Sequence, residues 1–112
     1  MKTLLLLLAF FSPLSMALGL GQASLHSKLG QPLLLEIPIL GVESLSKDEI
    51  IASLASLQDY QKMQVERTAM HNDLRFNVIK KGSNASLKIS SQRAINEPYL
   101  ELVVQITTPQ KT

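Results

Sequence analysis

The sequence predicts a mainly β fold with one helix, an α+β domain built as a small β-sandwich or a partly open barrel. Three observations predict it. Short segments carry the two-residue apolar alternation of half-buried strands, Gly- and Pro-marked turns separate them, and one capping-box pattern heads a stripe with helical spacing.

The first element is a leader. Lys2 precedes an apolar block from Leu4 to Phe11, Ser12-Pro13 breaks it, and Ser15-Met16-Ala17 sets small residues where a signal peptidase inspects the chain. This order reads as a signal peptide (residues 1–17) cleaved after Ala17, leaving residues 18–112 as one exported domain. The competing reading is an uncleaved anchor helix, because apolar character continues to Leu20. A span needs about 20 apolar residues, and Pro13, Gly19 and Gly21 interrupt this one, so no stable membrane span is expected after cleavage.

Gln22 to Lys28 alternates loosely, and Leu29-Gly30-Gln31-Pro32 supplies a turn. In Leu33 to Ile39 the odd positions are large and apolar, while Glu36 and Pro38 fall on the other face. Pro38 cannot donate a ladder hydrogen bond and is expected at an edge or strand end. Ser46-Lys47-Asp48-Glu49 has the capping-box pattern, and Ile50, Leu54 and Leu57 continue it as an apolar stripe, which predicts an amphipathic helix at about 46–60. Gln61 to Asn72 reads as a connection with a further helical turn around Val65 to Ala69. Asp73 to Ile79 and Ala85 to Ser91 alternate about the turn Lys80-Lys81-Gly82-Ser83-Asn84 and predict a hairpin. Tyr99 to Ile106 is the clearest strand, setting Leu100, Leu102, Val104 and Ile106 against Tyr99, Glu101, Val103 and Gln105.

Composition excludes several chemistries. The chain has no cysteine, which removes thiol catalysis, thiolate metal sites and disulfide stabilisation together. A domain of this size buries about 60–65% of its unfolded surface, so packing alone must stabilise it. The net charge is +2, and loss of Lys2 with the leader lowers it by one. Lys80-Lys81 with Lys88 reads as a solvated turn, so no nucleic-acid partner is expected. His26 and His71 are the residues to test for catalysis, but His26 sits between Leu25 and Ser27 in a strand and His71 in the polar stretch Ala69 to Asp73, where a solvent-facing or hydrogen-bonded histidine is the ordinary outcome, and the chain is read as no enzyme. No pair of ligands has metal spacing and no cofactor is expected. Asp48-Glu49 suits a helix N-terminus. Gly19 and Gly21 lack the strand and helix that frame a phosphate loop, and Asn84-Ala85-Ser86 reads as a hairpin turn.

The run Ala17-Leu18-Gly19-Leu20-Gly21-Gln22-Ala23-Ser24-Leu25-His26-Ser27-Lys28-Leu29-Gly30-Gln31-Pro32-Leu33, with Glu36-Ile37-Pro38 following, resembles the amino-terminal domain of the FimV/HubP/TspA family. Asp73 to Val78, Ser90-Ser91 and Ile95-Asn96-Glu97-Pro98-Tyr99 through Val104 agree with it. That family consists of large bacterial inner-membrane proteins with a periplasmic amino-terminal part, tied to type IV pilus assembly, twitching motility and cell-pole organisation. The resemblance implies a periplasmic, non-catalytic protein-interaction domain whose partners are envelope or pilus-assembly proteins. The alternative class is a small periplasmic or secreted ligand-binding or inhibitor β-domain.

The chain lacks the family's LysM module, so peptidoglycan binding is not supported. It also lacks the cytoplasmic repeats. The family domain usually continues through a further strand near an Arg-x-Tyr pattern, and that last strand is expected to be missing. In that case the strand from Tyr99 presents an open edge, with Tyr99, Glu101, Val103 and Gln105 as the candidate interaction residues. Otherwise Thr107 to Thr112 caps a complete small domain.

Overall fold

The computed structural model describes the backbone of residues 5–11 and all of residues 19–109; the expected cleavage position, Ala17, lies outside them. In chain order the elements are β1 (Leu5–Phe11), β2 (Gly19–Leu20), β3 (Ser24–Leu25), β4 (Pro32–Leu40), β5 (Ile51–Leu54), α1 (Leu57–Lys62), β6 (Leu74–Lys81), β7 (Asn84–Ala94) and β8 (Tyr99–Thr107). Single 3-10 turns at Lys47–Glu49 and Ala69–Asp73 flank the β5–α1 segment.

Alternation decides how these strands pack. Leu33, Leu35, Ile37 and Ile39 of β4, with Ala85, Leu87 and Ile89 of β7, point to one face of a sheet ordered β2-β4-β7-β6, in which β3 also pairs with β4. Leu100, Leu102, Val104 and Ile106 of β8, with Ile50 just before β5, come from a second sheet ordered β1-β8-β5. The two apolar faces meet in one core, and neither sheet closes on itself, so the fold is a small β-sandwich and not a barrel.

The expected hairpin is β6–β7, paired from Leu74↔Ser91 to Lys81↔Asn84. Its two-residue connection opens on Gly82 at φ +61 while Ser83 stays in ordinary backbone space, the order of a type II′ turn.

Pro38 departs from the edge position expected of it, because it pairs with Ser86 inside β4. Its missing donor faces the gap between β2 and β3, where Gly21 donates to the Pro38 carbonyl at 2.8 Å. A Cβ on Gly21 would lie 3.1 Å from the Pro38 Cβ, so packing against this ring, not phosphate binding, accounts for that glycine. Where β4 slips register between Pro32 and Leu34, the buried Ser91 hydroxyl accepts from Leu33 N–H at 2.8 Å and donates to the Arg93 carbonyl.

The helix expected at 46–60 is corrected. The capping box forms, with Ser46 N–H donating to Glu49 at 2.9 Å, but it heads a single 3-10 turn. The chain then extends, and Ile51 to Leu54 pair with Thr107 to Val104 of β8. Ile50, Ala52 and Leu54 satisfy a two-residue period as well as Ile50, Leu54 and Leu57 satisfy a helical one, and β-branched Ile50-Ile51 favours the strand. Leu57 is left 57% exposed. The helix that does form starts at Ser56, whose hydroxyl accepts from Asp59 N–H.

That helix ends in a Schellman motif: Val65 N–H donates to the Tyr60 carbonyl and Gln64 N–H to the Gln61 carbonyl. Gln64 occupies the left-handed position at φ +58 that glycine usually fills.

Two outcomes follow from this geometry. A helix puts Ile50 and Ile51 on one stripe, whereas the strand buries Ile50 to 4% exposure and leaves Ile51 at 60%. Ile50→Ala is expected to cost about 2–4 kcal/mol in urea unfolding and Ile51→Ala less than about 0.5 kcal/mol; equal losses would restore the helix. Gln64→Gly should raise stability by about 1 kcal/mol in the same assay, because only the left-handed strain is relieved.

Candidate interaction edge

In the full chain β8 is an interior strand of its sheet, and its two edges are satisfied in different ways. β5 pairs with its carboxyl-terminal half, from Leu54↔Val104 to Ile51↔Thr107, and Ala55 N–H donates to the Val103 carbonyl at 2.9 Å. There β5 ends, because Ser56 turns the chain into α1. Side chains continue the ladder. Tyr60 Oη accepts from Val103 N–H at 3.0 Å, and His71 Nε2 donates to the Glu101 carbonyl at 2.7 Å.

The histidine's tautomer is assigned by its other bond. Thr68 N–H donates to His71 Nδ1 at 3.1 Å, which leaves the ring proton on Nε2. Tyr60 and His71 meet edge to face, 5.6 Å between centroids at 89°. Arg67 stacks 5.5 Å above the Tyr60 ring and donates to the Ala55 carbonyl, the acceptor that Val103 would have used had β5 continued. Tyr60, Val103 and Ala55 form a second buried cluster on the outer face of β8, with Leu54 and Val65 against it.

Burial pushes the Tyr60 phenol pKa above its ordinary value, while the Val103 amide bond and the Arg67 charge act the other way. A phenol held neutral in the fold ionises first in the unfolded chain. Stability is therefore undiminished below pH ~10, the ordinary phenol pKa, and falls as pH rises through that value.

Tyr99 is 49% exposed at the start of β8, Glu101 and Gln105 are half-buried, and Val103 is fully buried. Main-chain groups alternate sides along a strand, so Glu101, Val103 and Gln105 direct theirs toward β5, Tyr60 and His71. The groups of Leu100, Leu102, Val104 and Ile106 face the opposite edge, where β1 runs parallel from Leu5↔Tyr99 to Phe11↔Gln105. Tyr60, Arg67 and His71 are not visible as a group from sequence, since no spacing rule links side chains to a distant strand's amides.

The histidines are not brought together for chemistry. His71 is buried with each ring nitrogen engaged by main chain. His26 lies on the surface just after β3, its Nε2 3.6 Å from Glu36. Among the described residues no group of three His, Asp or Glu is placed to hold a metal ion.

Residues 18–112 match the family model described as the FimV N-terminal domain, an Ig-like domain. The chain belongs to the FimV N-terminal domain family. Over 99 residues it is 38% identical to the motility hub protein FimV of Pseudomonas aeruginosa, in strain PAO1 and again in strain UCBPP-PA14. The match covers 88% of this chain and 11% of each relative, so the chain corresponds to a small part of their length. No solved structure matches it. Two of the stretches that carry the FimV resemblance are tied to each other in space: Gly30 N–H donates to the Ile95 carbonyl at 2.7 Å and Ile95 N–H to the Gln31 carbonyl at 2.9 Å. These bonds bring the turn before β4 against the Ile95-Asn96-Glu97-Pro98 loop that feeds β8.

Tyr60→Phe keeps the ring and removes the acceptor for a buried amide. It is expected to cost about 1–3 kcal/mol at neutral pH and to show a smaller alkaline loss of stability than the parent, read by urea unfolding on either side of pH ~10. An unchanged alkaline profile would show that Tyr60 is not the responsible group.

Proposed function

We propose that this chain is a non-catalytic protein-interaction domain that works in the periplasm after signal-peptide removal, in type IV pilus assembly, motility or cell-pole organisation. Its partners are envelope or pilus-assembly proteins, and its contact surface is the β8 edge. Membership of the FimV N-terminal domain family supports the setting, because its relatives are motility hub proteins. The Lys2-to-Ala17 pattern supports export. Among the described residues no helix is long and apolar enough to cross a membrane.

The observation that carries the interaction reading is the pairing of β8 with β1, a strand drawn from outside the family-matched residues. Pairing of this kind gives affinity through main-chain bonds, and side chains at alternate positions give selectivity. The ligand-binding alternative has a depression of about 260 Å3 between Met70, Ile95, Arg93 and Glu97, and wider ones of about 460 Å3 beside Glu36, Ile79 and Lys88 and about 340 Å3 beside Asp48, Ile51 and Asn77. The first is below the usual range of about 300–1,000 Å3 for small-molecule sites, and the wider two are open, mostly polar hollows where such sites are enclosed and mostly apolar, so the edge reading is preferred.

Expression of the tagged full chain in a piliated bacterium, followed by fractionation and intact-mass measurement, tests the setting. The expected product is periplasmic, begins at Leu18, and captures pilus-assembly or motility scaffold proteins from envelope extract. Recovery from cytosol with Met1 attached, or capture of a sugar or lipid and no protein, would sink it.

A further inference from the structure

β1 lies in the leader, whose removal after Ala17 the proposed export entails, yet its backbone fills a whole edge of the domain's interior strand. Seven register pairs join Leu5–Phe11 to Tyr99–Gln105. The other edge of β8 belongs to the domain itself, through β5, Ala55, Tyr60 and His71. Loss of residues 1–17 therefore opens one specific row of groups, the N–H and C=O of Leu100, Leu102, Val104 and Ile106. The side chains of these four residues are at most 1% exposed in the full chain. Such deeply packed side chains hold that edge in strand geometry, so once opened it presents a fixed row of amides and carbonyls, a template for a joining strand.

We propose that the leader is a placeholder strand: it occupies the binding edge in the uncleaved precursor, and cleavage makes that edge available to an apolar, uncharged extended segment of a partner protein, entering parallel to β8. This inference rests on the interaction reading above and adds its regulation and the chemistry of the partner strand. The orientation identifies the occupant. Two copies of this domain joined edge to edge by a two-fold axis would pair β8 with β8 antiparallel. A tight hairpin continuing the chain beyond β8 would also return antiparallel, since parallel neighbours need a long crossover. A parallel strand is what a separate chain can supply. The segment now on the edge, Leu-Leu-Leu-Leu-Ala-Phe-Phe, carries no charge, which sets the composition expected of the partner.

The main-chain geometry also says which groups of the incoming strand matter. Because the even residues of β8 face β1, their bonds go to the residues opposite the odd ones, so Leu7 (opposite Glu101) and Ala9 (opposite Val103) turn their amides toward β8, while Leu6, Leu8 and Phe10 turn theirs away. N-methylation of the peptide therefore separates edge pairing from simple greasiness without altering the protein.

The probe is a labelled peptide of the Leu5–Phe11 sequence flanked by lysines, titrated into the full chain and into the processed chain purified from the periplasm. Hydrogen exchange is followed at the Leu102, Val104 and Ile106 amides. The processed chain is expected to bind the peptide at least about tenfold more tightly than the full chain, with these amides exchanging fast when free and slowly when bound. N-methylation at Leu7 or Ala9 should weaken binding about tenfold or more, and at Leu6 or Leu8 should not. Equal binding by the two chains would overturn the placeholder while leaving the edge reading intact. Slow exchange in the free processed chain with no binding would overturn the edge reading too. Sedimentation as a dimer that the peptide does not dissociate would show the occupant to be a second copy and overturn the partner strand.

Discussion

Everything in this domain is arranged around the main chain of β8. Its even side chains form the floor of the core, and Val103 is buried on the opposite face, so the strand is enclosed on two faces and its amides and carbonyls can be satisfied only along its two edges. An unpaired buried main-chain group costs about 1–3 kcal/mol, a large part of the stability of a small cysteine-free domain. Each group along both edges therefore needs a partner, another strand or side chain where the edge is covered and water where it stands open. On the β5 side the domain provides them, partly as a strand and partly as the phenol of Tyr60 and the imidazole of His71.

That second provision explains why the segment after β5 has its irregular shape. A longer β5 would have paired Val103 and Glu101 directly, but Ser56 diverts the chain into α1, and Tyr60 is carried over the outer face of β8. The Schellman turn at Gln64 then reverses the chain so that Arg67 returns to the orphaned Ala55 carbonyl, and the Thr68–His71 cap fixes the ring whose Nε2 reaches Glu101. Short capped turns do what a regular strand would have done while also roofing Val103. The roof contains the domain's aromatic pair, so the same side chains that satisfy main chain also supply apolar cover.

Much of the sandwich was legible in the sequence because its strands obey one rule. Leu33 to Ile39, Leu74 to Val78, Ala85 to Ile89 and Leu100 to Ile106 alternate cleanly, and Gly82 marks the hairpin. The segment from Ser46 to Tyr60 is ambiguous in sequence because a four-residue strand and a helix share the spacing of Ile50 and Leu54. What decides between them is pairing with β8, more than forty residues away in the chain. Pro38 misled for a related reason: the proline rule assumes an unbroken neighbour, and here the neighbour breaks at Gly21 to Ala23 where the donor is missing. The candidate edge was legible as a strand but not as a surface, since which row of amides is open depends on what flanks β8. Tyr60 and His71 were out of reach, because side-chain-to-main-chain bonds over 43 and 30 residues leave no periodic trace.

An edge that is enclosed by packing yet filled from outside the domain couples folding to binding. A strand that adds to β8 satisfies groups that the core holds rigid, so little ordering cost falls on the domain side and most falls on the incoming segment. By linkage, whatever occupies the edge raises the stability of the whole sandwich in proportion to the logarithm of its concentration over its dissociation constant. A thin core then has a use on the proposed reading: a domain with little stability to spare gains most from a strand that adds to it. On the reading proposed above, that coupling ties the persistence of the folded domain to occupation of its β8 edge, while the Tyr60–His71 splice keeps the opposite edge closed in either state.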